Sequence, residues 1–237
     1  MIRVKTEEEI ELIRESSLLV SSTLAEVAKV IRPGITPLQL DEVAEEFIRD
    51  NDAVPAFKDY KGFPNTLCVS MNEDVVHGIP TSNELKEGDV VSVDCGAIKN
   101  GYYGDSAYTF TVGEVSDEVI ELLRVTKKAL YLGIEKAIAG NRVGDIGFAV
   151  QHFCEVQHNY GVVRELVGHG LGKNLHEEPE VPNYGKRGRG AKLKENTVIA
   201  IEPMVNLGKK EIITKPDGWT IASRDGKVSA HFEHTVV

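Results

Sequence analysis

Two histidines stand seven positions apart in the run Gly168-His169-Gly170-Leu171-Gly172-Lys173-Asn174-Leu175-His176-Glu177-Glu178-Pro179. Histidine ligates metals and carries protons near neutral pH, and glycine lets a backbone approach a ligand closely. Four carboxylates elsewhere give the run its weight: Asp94 and Asp105 before it, Glu202 and Glu233 after it. Asp94 follows the apolar stretch Val90-Val91-Ser92-Val93, and Asp105 lies in the stretch from Tyr103 to Val112. Buried like charges are expensive, so two aspartates in such strands need a partner. The weaker alternative turns one or both toward solvent. Gathered in one cleft, the four carboxylates bring four negative charges, which two divalent cations balance and one does not. The expectation is a dinuclear site ligated by Asp94, Asp105, His169, Glu202 and Glu233, with ions about 3.5–4 Å apart as in two-metal sites generally. Mostly oxygen donors with one imidazole suit manganese, iron, cobalt or zinc. A water between two such ions becomes hydroxide near neutral pH and can attack a carbonyl. His176 is left to work on the substrate.

Other chemistries fit less well. Gly168-His169-Gly170-Leu171-Gly172 lacks the full dinucleotide fingerprint and lies far from a first βαβ unit. Gly170-Leu171-Gly172-Lys173-Asn174 lacks the hydroxyl residue of a phosphate-binding loop, and no nucleophile elbow is present.

The elements that must position these residues can be read in order. Thr6-Glu7-Glu8-Glu9 is a capping box, followed by Ile10, Ile13, Val20, Leu24, Val27 and Ile31 at helical spacing. Pro33-Gly34 ends that helix, and Thr36-Pro37 starts a second. The irregular stretch from Pro55 to Pro64 carries Phe57, Tyr60 and Phe63, either as a loop packed by its own rings or as an apolar pocket wall. Leu67 to Met71 reads as a short strand, with His77-Gly78-Ile79-Pro80 in a loop beyond it. Asn100-Gly101 turns the strand holding Asp94 into the strand holding Asp105, so the two aspartates should lie nearly opposite. A third helix runs from Ser116-Asp117 to Gly140, and a fourth carries Ile146, Ala149, Val150 and Phe153. Strand pieces are expected from Gly161 to Val167, a strand with Glu202 from Thr197 to Val205, and one with Glu233 from Ser229 to Val237. Helix pair, strands with two carboxylates, helix pair, strands with two more: the order repeats. It predicts an α+β domain of two related halves, about 1–113 and 114–237, with helices outside a curved antiparallel sheet.

With 237 residues, 41% hydrophobic and 27% charged, the chain has the composition of a soluble globule. No apolar run is long enough to cross a bilayer, and the acidic start lacks a signal peptide's apolar core, so a cytoplasmic protein is expected. Three cysteines without a CxxC pair fit a reducing compartment. A net charge of −10 argues against general nucleic-acid binding through bulk charge, and no sequence-specific nucleic acid is expected as a partner.

The motifs together resemble type I methionine aminopeptidase. They are His77-Gly78-Ile79-Pro80, Val93-Asp94, Gly104-Asp105-Ser106-Ala107, Gly168-His169-Gly170, His176-Glu177-Glu178-Pro179, Ile201-Glu202-Pro203-Met204 and Phe232-Glu233-His234-Thr235, within a match from about Lys5 onward. The resemblance implies the pita-bread fold and removal of the initiator methionine from nascent chains whose second residue is small. It implies that Asp94 chelates one ion, that Asp105 and Glu233 bridge both, and that His169 and Glu202 hold the other. Glu202 would take a proton from the nucleophilic water, His77 would contact the scissile amide, and His176 would polarise the carbonyl. Tyr60, Phe63, Cys68 and Trp219 align with the pocket for the methionine side chain, and Asn72 and Ser229 with a monovalent-cation site. A monomer is expected, in transient contact with the ribosome. Lys186, Arg187, Arg189, Lys209, Lys210, Lys215 and Arg224 either touch ribosomal RNA or form a solvated surface.

Two other readings stand beside this one. A proline-specific peptidase of the same fold would share all five ligands; such enzymes usually carry an extra N-terminal domain, for which the first helix at Thr6 leaves no room. A non-catalytic binding protein on the fold tends to lose ligands. Departures from the family are Phe57, Leu175 and His231, the last in place of a common glutamine. Alternation along a strand would put His231 on the face of Glu233, at the cleft rim, hydrogen-bonded to a ligating carboxylate.

Overall fold

The computed structural model describes residues 2–237. Helix α1 (Glu7–Val30) opens with the expected capping box: the Thr6 hydroxyl accepts the Glu9 N–H at 3.1 Å, and the Glu9 carboxylate accepts the Thr6 N–H at 3.0 Å. Helix α2 (Pro37–Asp50) repeats the device with Thr36 and Gln39, and has proline in its first turn. Ser116 caps α3 (Asp117–Ile134), and α4 (Val143–Gln151) passes into a wider π turn over His152–Gln157. Helix α3 stops before Gly140. Lys136 and Ala137 donate to Gly133 and Ile134, tightening the end into i→i−3 turns.

Among the described residues the strands form four antiparallel sheets. In the first, Val90–Lys99 is flanked by Tyr102–Thr111 on one side and by Leu67–Met71 and Val54–Pro55 on the other. Apolar side chains of α1 and α2, among them Leu24, Val27, Leu40 and Ile48, bury against Leu67, Val69, Val91 and Val93. In the same way Leu122, Leu130, Ile146 and Val150 of α3 and α4 pack on Ile199, Ile201, Val205 and Phe232. Each such side chain contributes about 1.5–3 kcal/mol of transfer free energy.

Two expected strands are broken, and the breaks matter. Thr197 to Val205 divides into Ile199–Ile201, which pairs with Gly168–Gly170, and Met204–Asn206, which pairs with Gly161–Val162. Ser229 to Val237 divides into Ser229–His231, which pairs with Met204–Asn206, and His234–Val236, which pairs with Ile199–Ile201. Both chains therefore switch ladders together, at Glu202-Pro203 and Phe232-Glu233, as strands do at sheet corners. Pro203 has no N–H to give a ladder, so the break falls naturally beside it. Of the stretch from Gly161 to Val167, only Gly161–Val162 is regular strand.

Candidate active site

The hairpin at Asn100-Gly101 pairs Asp94 with Ala107 and Gly96 with Asp105. The two aspartates are thus diagonal neighbours on one face, two positions out of register, and not opposite one another. Glu202 and Glu233 reach the same place from the ladder breaks. At a break a side chain leaves the alternation of its strand and turns into the gap between sheets.

Side chains fix both breaks by bonding backbone. Ser106 donates to the carbonyl of Glu233 at 2.6 Å, and Thr235 donates to the carbonyl of Asp105 at 2.8 Å. The Glu233 N–H donates to Ala107, and buried Asn183 donates to the carbonyl of Glu202 at 2.9 Å. The sequence singles out none of these helpers for this role. Ser106 and Thr235 stand in the motifs around Asp105 and Glu233 without any sign of this bonding, and Asn183 lies in a loop with no periodicity.

His169 sits on the short strand Gly168–Gly170. A Cβ on Gly170 would lie 2.3 Å from the Glu178 carbonyl oxygen, so only glycine lets the next strand approach so closely. The Nδ1 atom of His169 lies 3.0 Å from the carbonyl oxygen of Gly170. A carbonyl only accepts, so Nδ1 carries the proton and Nε2 presents a bare lone pair. That lone pair stands 3.6 Å from Glu202 Oε1 and 3.8 Å from Asp105 Oδ2. One ligand atom each from Asp105, His169 and Glu233 can be chosen so that all lie within 4.8 Å of one another.

The electrostatics are severe. Burial raises the Asp94 carboxyl to about 7. Burial, then repulsion from Asp94 and Glu202, holds Asp105 well above the usual carboxylate range. Glu202 is raised by burial and by Asp94, and Glu233 by burial, Asp105, Glu202 and Asp94. Among the described residues, no lysine or arginine pairs with any of the four. Asp94 Oδ1, Asp105 Oδ1 and Glu233 Oε1 are buried without a hydrogen-bond partner among the described residues. Buried acceptors without donors are rare in folded proteins. Oxygen acceptors lacking donors beside a bare imidazole nitrogen make a donor set that fits divalent cations.

The side chains expected as metal ligands, catalytic groups and methionine pocket line one cleft of about 260 Å³. The acidic head is Asp94, Asp105, His169, Glu202 and Glu233; the wall is Tyr60, Phe63, Cys68 and Trp219. Phe63 and Trp219 meet edge to face at 5.3 Å. Phe57 and Leu175 pack against them and line the cleft too, so the aromatic stretch forms a pocket wall rather than a self-packed loop. Val76, Leu166, Val167 and Met204 also line the cleft, and nothing in their local pattern marks them for it.

His77 adopts φ 58, in the left-handed region that β-carbon-bearing residues rarely enter. A Cβ on the following Gly78 would lie 2.2 Å from the Val69 carbonyl oxygen, so the loop is pressed on its strand and carries His77 with it. Burial holds His77 below the ordinary histidine value. The Nδ1 of His176 lies 3.0 Å from the Tyr60 hydroxyl, and its ring centroid is 4.3 Å from that of His169. Loss of water around the ring inside the cleft, then repulsion from His169, Lys61 and His77, lowers His176 to about 4.

Three expected positions lie elsewhere. His231 does not reach the rim. Its strand ends there, so alternation does not carry on to Glu233, and the ring lies 1% exposed behind the cleft. Its Nε2 stands 3.8 Å from Glu202 Oε2, beyond hydrogen-bond reach, and has no hydrogen-bond partner among the described residues. Thr109 pins its backbone, donating to the His231 carbonyl at 2.7 Å and accepting its N–H at 2.9 Å. Asn72 and Ser229 meet outside the cleft, where the Ser229 N–H donates to the Asn72 carbonyl. Of the basic residues, Lys215 is withdrawn into an ion pair with Asp74 at 2.5 Å.

Residues 11–237 match the family model of metallopeptidase family M24. A methionine aminopeptidase from Clostridium acetobutylicum is 50% identical over all of this chain and 94% of its own. Methionine aminopeptidase 1 of Bacillus subtilis is 48% identical over 100% of this chain and 95% of its own. The crystal structure of the Thermotoga maritima methionine aminopeptidase superposes with a TM-score of 0.97 at 45% identity, over 100% of this chain and 95% of that one. A prolidase from Pyrococcus furiosus shares the fold, with a TM-score of 0.79 at 23% identity, and this chain covers 62% of it. The fold is therefore the pita-bread fold of these enzymes. The chain belongs to metallopeptidase family M24 and, within it, to the methionine aminopeptidases.

Proposed function

We infer that this chain hydrolyses the first peptide bond of polypeptides that begin with methionine and continue with a small residue. The observation that carries the reading is a single cleft in which a ligand-rich acidic head adjoins an apolar wall. The wall of Tyr60, Phe63, Cys68 and Trp219 is read as the seat of the methionine side chain. Burial, then repulsion from Asp94 and Asp105, pushes the Cys68 thiol well up, so the wall stays uncharged.

Asp94, Asp105, His169, Glu202 and Glu233 would hold two divalent ions, of manganese, iron, cobalt or zinc. Bound divalent ions supply Lewis acidity and bring the pKa of water near neutrality. On the protein side, Glu202 accepts a proton from the attacking water. His77 contacts the scissile amide. Neutral His176 donates to the carbonyl oxygen as negative charge develops there.

The domain is read as one catalytic unit of two halves, about 1–113 and 114–237. A monovalent cation near Asn72 and Ser229 belongs to the same reading. No helix among the described residues is long and apolar enough to cross a membrane. The reading places the chain in the cytoplasm, as a monomer acting on nascent polypeptides. Its exposed Lys186, Arg187, Arg189, Lys209, Lys210 and Arg224 would touch the ribosome transiently.

The test is competition between substrates. With divalent metal supplied, Met-Gly-Met-Met should be cleaved to free methionine and Gly-Met-Met, and an X-Pro dipeptide should not be cleaved. Turnover of the X-Pro dipeptide alone would move the chain to the proline-specific peptidases. Absence of both activities in metal-loaded protein would favour a non-catalytic binding role.

A further inference from the structure

Two histidines seven positions apart serve one cleft, and their hydrogen bonds set them differently. A neutral imidazole has one N–H, and the partner of one nitrogen decides what the other offers. His169 gives its Nδ1 proton to a carbonyl, which leaves Nε2 as a lone pair toward the carboxylates. The partner of His176 is a hydroxyl, Tyr60, at 3.0 Å from Nδ1.

Tyr60 is held in place by a tight turn. The residues on either side, Asp59 at φ 66 and Lys61 at φ 52, both occupy the left-handed region. Such strain persists only where surrounding contacts fix it, and it gathers at functional sites. Here the contacts are backbone bonds from Asp59 to Phe63 at 2.8 Å, from Tyr60 to Phe57 at 2.9 Å, and from Phe63 to Tyr60 at 3.0 Å. The Tyr60 ring stacks on His176 with 24° between planes, which aims the hydroxyl along the imidazole edge.

We propose that Tyr60 is a positioning residue: its hydroxyl donates to Nδ1 of His176 and so keeps the imidazole proton on Nε2, the atom that donates to the scissile carbonyl oxygen. The inference rests on the role read for His176 above. Nδ1 of His176 is the side-chain atom that the phenol oxygen reaches among the described residues. The reverse arrangement, Nδ1–H toward the phenol oxygen, would turn a lone pair on Nε2 against a developing negative charge. The two histidines are then set to opposite tautomers, His169 to accept a cation and His176 to give a hydrogen bond.

This role differs from that of a pocket wall, and Tyr60→Phe separates them because it keeps the ring and removes only the oxygen. Two readouts are needed. The first is the ¹⁵N signal of the His176 ring in metal-free protein, identified by its loss in His176→Asn. The wild type should show a protonated Nε2 and an unprotonated Nδ1, and Tyr60→Phe should show averaging between tautomers. The second is kinetics on Met-Gly-Met-Met with metal supplied. Loss of one neutral hydrogen bond should lower kcat about 5- to 10-fold, with KM nearly unchanged. A protonated Nδ1 in the wild type overturns the proposal. So does an unchanged tautomer or an unchanged kcat in Tyr60→Phe, and so does a loss confined to KM. A wild type that never cleaves Met-Gly-Met-Met would instead overturn the aminopeptidase reading, and the ring signals would still decide the tautomer.

Discussion

Asp94 holds a carboxyl oxygen that has no hydrogen-bond partner among the described residues, in the acidic head of the cleft. Its value to the molecule is as a ligand and a charge, so Asp94→Ala should abolish turnover and lower the number of divalent ions bound. Calorimetric titration showing unchanged stoichiometry with full activity would contradict this. His176 should behave in the opposite way. His176→Ala should retain the metal stoichiometry and lose roughly 10²–10³ in kcat, the usual cost of one oxyanion donor. If metal binding collapsed with it, the assigned role would be wrong. These residues are legible in the sequence itself. Four carboxylates, two of them in apolar strands, and a glycine-flanked histidine state a chemical demand wherever the chain folds. The residues that hold them are not legible there. Ser106, Asn183 and Thr235 act through backbone carbonyls 127, 19 and 130 positions away, and nothing local says which carbonyl each will bond.

Among elements, the helices and the hairpin can be read closely because their signals are local: capping boxes at Thr6 and Thr36, an Asn-Gly turn at position 100. The strands with Glu202 and Glu233 read as continuous because apolar pattern does not say which ladder a residue joins. The breaks are set by pairing with Gly161–Val162 and Gly168–Gly170, distant in the chain. One long-range tie supports the loop that carries His176. Lys5 meets Glu177 at 2.6 Å, with side chains only 5% and 8% exposed, and the Asn174 N–H donates to the same carboxylate. Burial pulls the Glu177 carboxyl up, but Lys5 and Asn174 outweigh it and hold the group below its ordinary value. A depressed carboxylate stabilises the fold above its unfolded pKa, and the benefit fades as pH falls through the folded one. Lys5→Met strands a buried charge and should cost about 3 kcal/mol in urea unfolding at pH 7. The difference from wild type should shrink once the pH drops below the ordinary value of 4.5. A variant as stable as wild type at pH 7 would show that the tie is idle.

For the whole molecule, the site sets a tension that metal relieves. The raised carboxyls of Asp94, Asp105, Glu202 and Glu233 bind more protons folded than unfolded between the ordinary carboxylate range and about 7. Where the folded state binds more protons, stability falls as pH rises. The Tm of metal-stripped protein should therefore drop from pH 5 to pH 8, whereas divalent ions, taking the place of those protons, should flatten the profile and raise it. Parallel profiles with and without metal would contradict that. The same coupling reaches activity, where the central claim is tested most directly by free methionine released from Met-Gly-Met-Met. The chain should release none after chelation and dialysis, and should recover when divalent metal is added back. Full release from the stripped chain, unmoved by any added metal, would contradict the claim.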